Sequence, residues 1–191
     1  MKYAEFIDIP DFEKHRQALI DFRNTRGNTK TLWWCHFQDE VEQHLPELTK
    51  MFKDTYGLTV KQLIYFCIPK NDLSVTDPSN PESVFIHIDA KDEDWTLFEP
   101  TLAINLPLEY CEGTTTLFYE KINDNPDVFY PVYDCGGNAH DSVKEAYRFE
   151  LTSPAILRIN VPHGVHNPHD TLRVVATIRF NEDLEPLLKM L

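Results

Sequence analysis

A mainly β domain with helices at its amino terminus is predicted by two features of this sequence. From about residue 58 onward, short runs rich in β-branched and aromatic residues alternate with clusters of Pro, Asn, Asp and Gly, the texture of strands divided by turns. Before that point the apolar residues recur at helical spacing, as in FEKHRQALIDFRN. The chain has 191 residues, 42% of them hydrophobic and 12% aromatic, enough apolar material for one domain with a substantial core. No repeat, low-complexity tract or linker marks a boundary. Residues 1–191 are therefore expected as a single domain, with helical elements over 1–57, a β core over 58–181 and a tail over 182–191.

Asp11 is placed to cap a helix through FEKHRQALIDFRN that turns Phe12, Leu19, Ile20 and Phe22 inward and leaves a mostly charged opposite face. TLWWCHF then reads as extended. A second helix begins near Pro46, because the first turn has no use for the missing amide; it buries Leu48, Met51, Phe52 and Tyr56 and stops at Gly57. Eight strands follow: VKQLIYFCI, SVFIHIDA, TLAINLPL, TTTLFYEKI, VFYPVYD, YRFELTS, AILRINV and LRVVATIRF. KNDLSVTDPSNPE, KDEDW, INDNPD and DCGGNAHDS are loops by composition. Short strands with no long helix between them favour a sandwich or a barrel, with the early helices packed outside.

Thirty-one acidic against eighteen basic residues give a net charge of −13, which repels phosphate backbones and argues against a nucleic-acid or anionic membrane surface. A small-molecule or peptide substrate is easier to accept; the oligomeric state is not legible. The opening MKYAEFIDIPDF lacks a basic stretch followed by an apolar one, and no apolar run is long enough to span a bilayer, so a soluble, cytoplasmic protein is expected. Cys35, Cys67, Cys111 and Cys135 lie far apart without a CxxC pair, a pattern of reduced thiols rather than of a disulfide framework or zinc ribbon.

The chemistry is concentrated in His87 and Asp89 of SVFIHIDA, His163 of RINVPHGVH, and Arg173 ten residues further on. Residues two apart on a strand project to the same face, so one metal ion can reach both His87 and Asp89. Val84, Ile86 and Ile88 form the opposite, wholly apolar face. In LRVVATIRF, likewise, Val174, Ala176, Ile178 and Phe180 share one face while Arg173, Val175, Thr177 and Arg179 share the other. Two histidines and one carboxylate on one side of a metal form the facial triad that holds non-haem Fe(II) and leaves positions open. His163 follows the apolar strand directly; His166 and His169 repeat its spacing, and His169 with Arg179 keeps the same ten-residue offset. A guanidinium at Arg173 suits bidentate bonding to a carboxylate.

HxD, a distal histidine within PHGV, and an arginine ten residues beyond it resemble the Fe(II)- and 2-oxoglutarate-dependent oxygenases, over roughly residues 60–181. The resemblance implies a double-stranded β-helix, the jelly-roll or cupin-like core, with Fe(II) held by His87, Asp89 and His163. It further implies that 2-oxoglutarate chelates the iron while Arg173 holds its far carboxylate. Cosubstrate and O2 would then be converted to succinate and CO2 as a substrate is hydroxylated, with demethylation, desaturation or ring closure as variants. By the same resemblance Asn105 lines the pocket and contacts cosubstrate or substrate, although a structural bond to backbone is an equal option. Tyr65 and Tyr119 fit either core packing or donation into the barrel, Trp33 and Trp34 either core or a wall over the site, and DCGGNAHDS either a lid or a surface turn. Cys111, near the EGT turn, fits an approach to the site, but the sequence shows no nucleophile paired with an activating base. Two other readings use the same ligands: a non-catalytic jelly-roll binding protein, and a metal-dependent cupin enzyme that does not use 2-oxoglutarate.

Overall fold

The computed structural model describes residues 2–25, 33–75, 82–87, 101–122 and 143–191. Its strands are β1 (Ala4–Phe6), β2 (Trp33–Phe37), β3 (Val60–Ile68), β4 (Leu102–Glu109), β5 (Thr115–Lys121), β6 (Val143–Phe149), β7 (Ala155–Arg158), β8 (His163–His166) and β9 (Arg173–Phe180). Its helices are α1 (Phe12–Thr25), α2 (Gln38–His44), α3 (Pro46–Tyr56) and α4 (Glu185–Met190). Six strands form one sheet in the order β1-β7-β4-β9-β3-β2, and three form a second in the order β6-β5-β8. Every pairing between these strands is antiparallel.

Alternation along the central strands sorts the side chains between layers. In β9, Val174, Ala176, Ile178 and Phe180 join Leu63, Tyr65, Ile104 and Leu106 in the main core, beneath Leu19 of α1 and Leu48 and Phe52 of α3. Full burial of each Leu or Phe of this layer stabilises the fold by roughly 1.5–3 kcal/mol. The other face of the large sheet meets the small sheet through Phe118, Phe149, Ala155, Leu157 and Val175. A third cluster, Val84, Ile86, Leu117 and Val143, covers the outer side of the small sheet.

α1 opens at Asp11, whose carbonyl accepts from the amides of Lys14 and His15, and α3 closes at Gly57 in the left-handed region with φ 72°. The structure departs from the sequence reading in several places. Residues 1–57 contain, besides the two expected helices and the extended segment that becomes β2, the edge strand β1 and the short helix α2. The expected tail contains α4, held by buried Leu184 and Leu188 and by the Arg158–Glu185 ion pair at 2.5 Å. YRFELTS is displaced: β6 spans Val143–Phe149, and Thr152–Ser153 forms a bend instead. SVFIHIDA enters the described structure only as far as His87, through isolated bridges at Ser83 and His87 rather than a full strand. VFYPVYD, KDEDW and DCGGNAHDS lie outside the described residues.

Candidate functional site

The segment 84–87 docks on β8 by a reciprocal pair of backbone bonds. The His87 amide donates to the His163 carbonyl and the His163 amide to the His87 carbonyl, each at 2.8 Å. Residues opposed in this way send their side chains to the same side of a sheet, and the two imidazoles stand together with centroids 4.5 Å apart at 48°. Gly164 permits the approach. A Cβ there would lie 2.8 Å from Val84 Cγ1 and 2.9 Å from the Phe85 carbonyl oxygen.

Each Nδ1 faces the backbone carbonyl two residues earlier: Phe85 O at 3.2 Å for His87 and Val161 O at 2.9 Å for His163. A carbonyl oxygen only accepts, so each ring donates from Nδ1, which in the neutral form leaves the lone pair on Nε2. This is the neutral tautomer that binds a metal through Nε2, oriented by an outer acceptor.

Both rings line a small cavity of about 40 Å³ between the two sheets. β9 contributes Arg173, Val175 and Thr177, β4 contributes Asn105, and β5 contributes Thr116. Apolar wall comes from Phe66, Ile68, Leu157, Ile159 and Val165. Arg173 is the first residue of β9, opposite Ile68, and at 2% exposure it is the largest fully buried side chain described. Burial pulls its pKa below the ordinary arginine value, opposed only by the neighbouring Cys111 sulfur; among the described residues no carboxylate pairs with it. Burial likewise pushes the Cys111 thiol up, and its Sγ donates to the Val174 carbonyl at 3.2 Å, so it stands as a neutral thiol.

Four buried polar atoms on this wall lack a hydrogen-bond partner among the described residues: Arg173 Nε, Asn105 Oδ1, Thr116 Oγ1 and Thr177 Oγ1. At about 1–3 kcal/mol each, together they cost roughly 4–12 kcal/mol if left unsatisfied, comparable to the whole stability of a domain. Such an arrangement suits a polar occupant that supplies both acceptors and donors.

The residues expected from sequence thus converge in part. His87, His163, Asn105 and Arg173 share one cavity. Asp89 lies outside the described residues, and among those described no group of three His, Cys, Asp or Glu side chains is gathered for a metal. The competing histidines are elsewhere: half-buried His166 interacts with Asp72, exposed His169 lies against Gly113, and neither borders the cavity. Arg179, which keeps the same offset from His169, donates to Gln62 Oε1 at 3.4 Å. Tyr65 is a core residue whose hydroxyl donates to the Leu19 carbonyl, and Tyr119 packs against the outer cluster of the small sheet. Trp33 and Trp34 sit on edge strand β2, and their side chains lie outside the described set. Sequence reasoning missed Thr116 and Arg158; the period of two along TTLFYEK flags the first, while nothing local flags the second.

No family model and no curated protein matches the chain. Solved structures with some likeness include one described as the non-heme alpha ketoglutarate dependent carbocyclase SnoK from nogalamycin biosynthesis, at 11% identity and TM-score 0.49, covering 97% of this chain and 83% of that one. The epimerase SnoN, in complex with Fe3+ and alpha ketoglutarate, matches at 11% identity and TM-score 0.47 over 91% of this chain and 76% of its own. HygX from Streptomyces hygroscopicus, with iron bound, matches at 8% identity and TM-score 0.47 over 92% and 81%. At identities and scores this low, the chemistry of the cavity rests on its own geometry.

Proposed function

We propose that this chain is a non-haem Fe(II)- and 2-oxoglutarate-dependent oxygenase built on a single double-stranded β-helix domain. The observation that carries the reading is the union, in one cavity, of two Nδ1-anchored imidazoles with a buried guanidinium that no described carboxylate neutralises. His87 and His163 would hold the metal through Nε2, and Asp89, two residues beyond His87, would supply the carboxylate oxygen of a facial triad. Two nitrogens and one oxygen suit Fe(II) and leave room for a chelating cosubstrate. Bound there, iron would supply oxygen activation coupled to oxidative decarboxylation of a 2-oxo acid.

The chain's own groups account for the rest. Arg173 would take the distal carboxylate of 2-oxoglutarate in a charge-assisted pair, worth more in this dry wall than at a surface. Thr177 and Asn105, paired across the sheet, add a hydroxyl and an amide to the lining of the same cavity. Leu157, Ile159, Val165 and Val175 exclude water from the reacting centre. Hydroxylation of a small-molecule or peptide substrate, in a cytoplasmic setting, is the reaction proposed; among the described residues no helix is long and apolar enough to cross a membrane. Arg173, which no carboxylate neutralises among the described residues, favours this reading over a cupin that has no distal carboxylate to hold.

Calorimetry tests it. With Fe(II) under argon, 2-oxoglutarate should bind the parent protein, and Arg173→Met should weaken that binding by about tenfold to a hundredfold, the loss of one or two charge-assisted hydrogen bonds. Equal affinities would remove Arg173 from the site.

A further inference from the structure

The turn between β8 and β9 carries a buried asparagine that the proposed chemistry does not use. Asn167 is 0% exposed, and every polar group it owns has a partner. Its Nδ2 donates to the Ile68 carbonyl at 2.9 Å and the Thr171 carbonyl at 2.8 Å, and its Oδ1 accepts from the His169 amide at 3.1 Å. Its backbone amide donates to Asn71 Oδ1 at 3.0 Å, and its carbonyl accepts from the Asn71 amide at 2.9 Å. Asn71 completes the link by donating from Nδ2 to the Val165 carbonyl at 2.8 Å.

These bonds meet three pieces of backbone that matter to the cavity. Val165 is in β8, two residues after His163. Ile68 is the β3 residue paired with Arg173, so Asn167 grips the rung on which β9 starts. Thr171 closes the turn two residues before Arg173. We infer that Asn167, with Asn71 behind it, is a positioning residue that fixes the distance between the metal end of the cavity at His163 and the carboxylate-binding end at Arg173, and so selects the chain length of the dicarboxylic 2-oxo acid. This rests on the oxygenase reading given above. A ligand bound at both ends feels that spacing, whereas a ligand bound only at the metal does not.

The test uses three 2-oxo acids as probes on the Fe(II)-loaded full chain under argon: 2-oxoglutarate, 2-oxoadipate with one more methylene, and pyruvate with no distal carboxylate. Dissociation constants are measured for the parent, Asn167→Ala and Asn71→Ala, each well below its own melting temperature so that only folded protein is read. Asn167→Ala should weaken 2-oxoglutarate about tenfold or more, leave pyruvate within about twofold, and shrink the preference for 2-oxoglutarate over 2-oxoadipate. Asn71→Ala, which keeps the turn's own bonds, should move the same ratio in the same direction by less. A merely structural asparagine would lower the melting temperature without altering the length preference, and that result overturns the proposal. If Asn167→Ala does not fold, the ratio in Asn71→Ala decides by itself. Failure of the parent to bind 2-oxoglutarate would overturn the oxygenase reading first and this inference with it, an outcome distinct from normal parent binding with an unchanged ratio.

Discussion

Replacing Gly164 by alanine should disturb the metal end of the cavity through one backbone carbonyl. The added methyl would lie 2.8 Å from Val84 Cγ1 and 2.9 Å from the Phe85 oxygen, where a carbon–carbon contact of about 3.5–4.0 Å is optimal. Neither neighbour can yield easily: Val84 is 1% exposed among Ile86, Leu117 and Val143, and the oxygen belongs to the main chain. Overpacking of this kind costs about 1–3 kcal/mol, and the reduced freedom of the unfolded chain returns about 0.4–1 kcal/mol. A net loss of roughly 1–2 kcal/mol lowers the melting temperature of a chain this size by about 2–6 °C. The Phe85 oxygen is also the acceptor for His87 Nδ1, so the imidazole must follow it, and metal affinity should fall by about tenfold to a hundredfold, as on loss of an orienting acceptor. Thermal melts of the metal-free protein and calorimetric titration with Fe(II) under argon read the two effects separately. A variant that melts with the parent and binds metal equally well would refute the close approach of 84–87 to β8.

Three further outcomes follow from the same structure. Arg173→Met should leave the melting temperature of the metal-free protein unchanged or raise it, because it removes a buried charge that no described carboxylate neutralises; a fall of several degrees would show that Arg173 holds the fold together. His163→Ala should weaken metal binding about a hundredfold or more while His166→Ala and His169→Ala change it little, since only the first borders the cavity; equal losses in all three would reassign the ligand. His15 is buried on α1, and desolvation holds its pKa below the ordinary histidine value of about 6.5. The unfolded chain therefore binds its proton first, so this contribution to stability is complete above about pH 6.5 and is lost as pH falls below that toward the folded value. Urea midpoints at pH 7.5 and 5.5 should converge in His15→Gln relative to the parent, and an unchanged gap would assign the acid sensitivity elsewhere.

The central strands of the large sheet were legible because they are buried on both faces or alternate cleanly. VKQLIYFCI and LRVVATIRF became β3 and β9 nearly to the residue, and the alternation in β9 separated Val174, Ala176, Ile178 and Phe180 from Arg173, Val175 and Thr177 as read. His87, His163, Asn105 and Arg173 were recognised by spacing and residue type, and the fold brings those four to one wall. β8 was missed as a strand because HGVH has neither a run of apolar residues nor a regular alternation; its pairing depends on Gly164 admitting Phe85. The acceptors that orient the two imidazoles are main-chain carbonyls, which no residue name reveals. Arg23 with Glu109, partly buried and 86 residues apart, and Asn71 with Asn167, 96 apart, are products of topology. α4 is only six residues long, too short for periodicity to announce, and is fixed by Leu188 and the contact of Glu185 with Arg158.

The most direct test of the oxygenase account is an anaerobic titration of the metal-free protein with Fe(II) and 2-oxoglutarate, watched in the visible for the weak charge-transfer band of the chelate, with His87→Ala and Arg173→Met beside the parent. The account predicts a band in the parent, none in His87→Ala, and a band in Arg173→Met only at much higher 2-oxoglutarate. Folded, iron-loaded parent protein that shows no band at saturating 2-oxoglutarate would contradict it.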